Sequence, residues 1–105
     1  MGFVLRHRWG GTERDPALAK IDDLLAELDK PDDDHPDVSL THESGWCLAA
    51  FPSGLVVYEN LDDEDARPRH MRAVSRDRVA ALMRALAGGD LERLEAEPWY
   101  DGYGR

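Results

Sequence analysis

The chain is short of cysteine, of lysine and of long apolar runs. Its single cysteine, Cys47, excludes an internal disulfide and the zinc sites built from paired cysteines. A small secreted domain is more often stapled by disulfides, so a cytoplasmic setting is the expectation. Lys20 and Lys30 are the only lysines, and the 13 basic residues face 22 acidic ones, for a formal charge of −9. A field of that sign repels phosphate and argues against nucleic acid as a partner. No apolar stretch approaches the roughly 20 residues of a membrane span. The opening MGFVLRHRWGG carries no apolar segment of signal-peptide length, so no membrane association is expected. Sequence signatures of common chemistry are missing too. Ser44-Gly45 and Ser53-Gly54 lie outside any Gly-x-Ser-x-Gly elbow. Gly10-Gly11 and Gly88-Gly89 lack the rest of a phosphate loop, including its lysine.

What remains is a chain of 105 residues with 42% hydrophobic and 33% charged side chains, which suits one globular domain. Residues 2–9 read as a short edge strand, broken by Gly10, Gly11 and Thr12. Asp15-Pro16 reads as a helix start, with Asp as cap and Pro at the first helical position. That helix is predicted to run to Asp29, with Leu18, Ile21, Leu25 and Leu28 on one face, Leu24 beside them, and Asp22, Asp23 and Glu27 toward solvent. Pro31 stops it. VSLTHE alternates as a half-buried strand, and WCLAAF is apolar on both faces, as a central strand would be. LVVYENL reads as a third. Ser44-Gly45 and Pro52-Ser53-Gly54 join them by turns too short for anything but an antiparallel meander.

Residues 69–74 read as a further strand. Ser75 caps a helix over residues 76–87, whose apolar face is Val79, Leu82, Met83 and Leu86. Gly88-Gly89 ends it, and Asp90 caps a short helix through Leu91 and Leu94. The whole is a single α+β domain over residues 1–105. Its antiparallel sheet of four to five strands carries two main helices on one face. Residues 1–15 form an N-terminal strand and turn, and 99–105 a flexible tail on which Trp99 and Tyr100 are the residues able to dock.

The charge is segregated. Residues 22–37 hold eight acids and one base, and residues 38–66 hold six acids and none. Residues 67–89 then hold six arginines against Asp77. The acids crowd two loops: Asp32, Asp33, Asp34 and Asp37 in one, and Glu59, Asp62, Asp63, Glu64 and Asp65 at the other. Consecutive carboxylates repel, so such clusters either keep the chain soluble or meet a basic partner, whose arrival they accelerate. A calcium loop is a third reading, but the EF-hand spacing and its closing Glu are absent.

Four histidines offer little chemistry. No two stand four apart, though His42 and His70 are placed to meet if their strands adjoin, with Glu43 or Cys47 near. Cys47 itself reads as a buried small side chain. The arginines of residues 67–84 read as partners for neighbouring acids or as an interface border. Trp46 reads as core, and Tyr58, Phe51 or Trp99 would make a contact site if they reach a sheet face left open by the helices.

The run VSLTHESGWCLAAFPSGLVVYEN, a polar loop, a short strand and then VSRDRVAALMRALAGGDLERLEAEPW together resemble the first-numbered immunity-protein family of bacterial polymorphic toxin systems, over residues 16–99. The resemblance is one of layout: leading helix, Gly-turn meander, capped helix, then Gly-Asp and Trp near the end. It implies a small cytoplasmic α+β protein that binds and neutralises a co-encoded toxin, often a nucleic-acid deaminase or nuclease. Such a toxin has a basic cleft, and an acidic inhibitor occludes it without catalytic groups, cofactor or metal. The partner-binding residues are then Asp32, Asp33, Asp34, Asp37, Tyr58, Glu59, Asp62, Asp63, Glu64 and Asp65. The other readings are a small-molecule or peptide binding module on the open sheet face, and a homodimeric accessory protein.

Overall fold

The computed structural model describes residues 2–30 and 37–104. Among them, seven strands form one antiparallel sheet: β1 (Phe3–Arg6), β2 (Thr12–Arg14), β3 (Val38–His42), β4 (Trp46–Ala50), β5 (Val56–Asn60), β6 (Arg69–Met71) and β7 (Tyr100–Asp101). Three helices accompany them, α1 (Lys20–Ala26), α2 (Arg76–Ala87) and α3 (Leu91–Glu95), and a 3-10 turn at Glu27–Asp29 extends α1. The strand order is β2-β1-β3-β4-β5-β6-β7, so the expected meander β3-β4-β5 forms the middle of the sheet. None of these helices is long and apolar enough to cross a membrane.

Alternation sorts the side chains. Phe3 and Leu5 of β1, Val38 and Leu40 of β3, Leu48 and Ala50 of β4, and Val56 and Tyr58 of β5 point to one side and are buried. Against them pack Ile21, Leu24 and Leu25 of α1, Leu28, the α2 stripe Val79, Leu82, Met83 and Leu86, and Leu94 of α3. The core is therefore a single layer between one sheet face and the helices. Each fully buried leucine in it stabilises the fold by about 1.5–3 kcal/mol.

Two expected elements differ. The sheet has seven strands rather than four or five because both ends of the chain add a short one. Trp9-Gly10 turns the N-terminal segment back on itself, and β2 pairs with β1. At the other end Tyr100 pairs with His70 and Asp101 with Arg69, so the tail docks as an edge strand. The first helix also begins later than predicted. Asp15 is not its cap: its backbone N–H donates to the Phe3 carbonyl at 2.8 Å and its carboxylate accepts the Phe3 N–H at 2.8 Å. Hairpin closure takes the residue that the helix would have used, and Leu18 is left 48% exposed outside the core.

Uncapped at its start, α1 is held at its end by arginines. The buried Arg8 donates from one guanidinium nitrogen to the carbonyls of Glu27 (2.7 Å) and Lys30, and Arg76 donates to the carbonyl of Leu25 at 2.5 Å. These satisfy carbonyls that a helix terminus leaves open and place positive charge at the negative end of its dipole. The other two helices start on side-chain caps: Ser75 accepts the Arg78 N–H at 3.2 Å and Asp90 the Arg93 N–H at 3.3 Å. Replacing Leu86, a fully buried residue of the α2 stripe, with Ala should lower stability by about 2–5 kcal/mol, read as a lower urea midpoint with an unchanged slope.

Candidate functional site

The second face of the sheet carries no helix. Val4 and Arg6 of β1, Ser39 and Thr41 of β3, Cys47 and Ala49 of β4, and Glu59 of β5 point to it. With Thr12, Asp37 and Leu61 they line an open depression of about 420 Å³. Its floor is small and apolar, and its rim carries Arg6 on one flank and Asp37 and Glu59 on others. Cys47 stands directly opposite both Thr41 and Glu59 in the ladder. Burial pushes its thiol pKa up, so it is a weakly reactive thiol set in the floor.

Of the residues singled out in the sequence, Asp37 and Glu59 thus come together on this face. Asp62, Asp63, Glu64 and Asp65 follow Leu61 on the β5–β6 loop, and all four are exposed. The loop begins fastened to the β3–β4 turn. The Leu61 N–H donates to the Gly45 carbonyl at 2.9 Å, and the Asp62 N–H to the Asn60 side-chain oxygen at 2.9 Å. Gly45 has φ +93°, and a Cβ there would lie 2.7 Å from an Asp62 carboxylate oxygen, so the close approach requires glycine. Asp32, Asp33 and Asp34 lie outside the described residues.

Tyr58 is corrected. It points to the helix side and is wholly buried, stacked between Trp46 (centroids 4.5 Å apart) and Trp99 (5.2 Å). Arg69 lies over the Trp46 and Tyr58 rings, 5.3 Å from the Tyr58 centroid, and makes a two-pronged ion pair with Glu95, both bonds at 2.6 Å. Burial pushes the Tyr58 pKa up to about 12. The Arg69 hydrogen bonds hold the Glu95 carboxyl below its ordinary range. Tyr58 therefore presents nothing to a partner; the stack fixes α3 and the chain after it. The histidine pair is corrected as well. His42 and His70 lie on β3 and β6, with β4 and β5 between them, and on opposite faces. Among the described residues no group of three or more His, Cys, Asp or Glu side chains is placed to hold a metal ion.

The arginines of residues 67–89 largely pair within the fold. Arg84 meets Asp22 at 2.7 Å, Arg76 meets Asp29 at 3.3 Å, and Arg78 meets Glu97 at 2.9 Å. With Arg69 on Glu95, these contacts pair four of the six arginines with acids of α1, its 3-10 turn and the α3 region. Among the described residues the four loop acids Asp62 to Asp65 make no ion pair.

One cluster escaped the sequence reading. His7 lies between two carboxylates, Nδ1 2.5 Å from Glu27 and Nε2 2.9 Å from Glu13. Glu27 is accordingly turned inward to the hairpin rather than to solvent. Only the imidazolium can donate from both ring nitrogens, so these contacts raise the His7 pKa, chiefly through Glu27. Pairwise spacing gives no warning of it, since the three residues come from three separate segments. Comparison with protein-family models, curated proteins and solved structures yields no significant match.

The His7 cluster fixes a pH dependence. A raised folded-state pKa adds stability in full below the ordinary value of 6.5, and that stability is lost as pH rises through the folded value. In urea titrations at pH values from about 6 to about 9, the advantage of the wild type over His7→Gln should be greatest at the acid end and shrink steadily. An advantage that stays constant across this range would contradict the assignment.

Proposed function

We propose that this chain is a non-catalytic binding protein that takes a basic protein partner on its open sheet face and adjoining acidic loop. The observation that carries the reading is continuity. Glu59 and Leu61 line the depression, and the four exposed acids begin at the next residue. A partner seated on β1, β3, β4 and β5 would cover the small apolar floor while its cations meet the loop. Apolar contact gives such a complex its lifetime, and the charge gives it speed of arrival and discrimination among partners. The segregation of charge supports this use. Four of the six arginines of residues 67–89 are paired with acids within the fold, whereas, among the described residues, the four loop acids pair with none and face outward. The layout shared with immunity proteins of polymorphic toxin systems points to a co-encoded, nucleic-acid-targeting toxin, whose basic cleft the acids would fill in place of phosphates. In this reading the protein works by occlusion in the bacterial cytoplasm.

The test begins by capturing the tagged chain with its partner from the source cells at low salt and identifying the partner by mass spectrometry. Association rates are then measured over a range of salt. Converting Asp62, Asp63 and Asp65 to Asn and Glu64 to Gln should slow association about tenfold at low salt and flatten its salt dependence. Ala49→Arg, which fills the floor, should instead speed dissociation. An acidic partner, or an on-rate indifferent to the loop changes, would overturn the proposal.

A further inference from the structure

The chain beyond Trp99 does more than add an edge strand. After β7 it folds over the rim of the sheet and onto the open face. The Gly102 N–H donates to the Pro68 carbonyl at 2.9 Å, and the His70 Nδ1–H donates to the Gly102 carbonyl at 3.0 Å. Arg72 donates to the Gly104 carbonyl. The Tyr103 hydroxyl donates to Glu59 at 2.7 Å, which brings the segment to the residue facing Cys47 across the ladder. Gly104 packs on the His70 ring so closely that a Cβ there would lie 2.5 Å from a ring carbon, and its φ is +75°.

These contacts have two properties that belong together. They reach the margin of the proposed docking face, since Glu59 is one of the acids lining the depression. They are also weak one by one. Tyr103 remains 44% exposed, and hydrogen bonds at such sites exchange readily with water for little net gain. The stronger anchors lie just upstream. Trp99 donates its indole N–H to the Leu94 carbonyl at 2.6 Å and stacks on Tyr58, so release of residues 102–104 leaves the fold behind them intact.

We propose that residues 102–104 are an internal stand-in for the partner: a displaceable strap that holds Glu59 in the free protein and yields it on binding. The proposal rests on the reading of this face as the docking site, and it specifies what docks. The incoming group must bring a hydrogen-bond donor to Glu59 in place of the Tyr103 hydroxyl. An arginine or lysine of a basic partner does so with added charge, which gives it the advantage over the neutral phenol. Displacement also costs the partner whatever the strap contributes, so loosening the strap should tighten binding.

The test uses the full chain and needs no identified partner for its first arm. Gly104→Val forces a branched side chain into the His70 ring and should open the strap; Tyr103→Phe removes the bond to Glu59 alone. Two rates are read in each variant: hydrogen exchange at the Gly102 amide, and reaction of Cys47 with a disulfide thiol probe. Gly104→Val should accelerate both by about tenfold or more, with Tyr103→Phe intermediate, while the urea midpoint stays within error of the wild type. Faster exchange at Gly102 with an unchanged Cys47 rate would mean that the strap opens but shields nothing, which overturns the proposal. Unchanged rates at both sites, or acceleration accompanied by a lowered urea midpoint, overturn it as well. Once a partner is in hand, Gly104→Val should bind it more tightly. Failure to find a basic partner would count against the docking face while leaving the strap's opening measured.

Discussion

Three helices share one apolar sheet face, and this single-sided arrangement constrains everything else in the molecule. The alternating residues of β1, β3, β4 and β5 supply one apolar layer, and the leucines of α1 and α2 close it. Hydrophobic side chains in number sufficient for a second layer are not left over in a domain of this size. The opposite face must therefore be built from small or polar side chains such as Ser39, Thr41 and Ala49, which tolerate water and leave room for another surface. The helices are tied to their places by groups at their ends. Arg8 and Arg76 reach the terminal carbonyls of α1, and Ser75 opens α2. The hairpin that carries Arg8 thereby fixes both the edge of the sheet and the end of the helix above it.

The same economy governs charge. A formal charge of −9 describes the chain, but not what another molecule meets. Ion pairs between helices absorb the arginines and some of the acids of α1 and α3 together. These pairs are mostly exposed and each adds little to stability. Their larger effect is on the field, since they leave the β5–β6 loop, with four acids against Arg67, as a net acidic projection. Net charge and its outward expression are separate quantities here, and folding sets the second.

The central meander was legible because its signals agree: alternation in β3, apolar character on both faces of β4, and turns too short for any other topology. The α2 cap and stripe were legible for the same reason. What failed did so where one residue had two uses. Asp15-Pro16 has the chemistry of a helix start, yet Asp15 closes the hairpin, and only tertiary pairing decides between them. The short edge strands β2 and β7 carry too few residues for periodicity to register. For the site, composition located the loop acids but misplaced Tyr58. Alternation in LVVYENL could not decide its side, because Leu55 and Val57 make the opposite face as apolar as Val56 and Tyr58. The His7 cluster and the strap left no local trace, because each depends on a contact between distant parts of the chain, Glu27 with His7 and Tyr103 with Glu59.

Gly45 gives the acidic loop a property beyond its charge. Where a flexible tail would smear its carboxylates over many positions, the close seat of Asp62 against this turn makes the start of the loop move with the sheet. Its field thus keeps one direction relative to the open face. A charged body drifting past such a fixed array feels a torque as well as a pull, and is turned while it is still at a distance. The turn glycine would then act on the angle at which a partner arrives, a role played before any contact has formed.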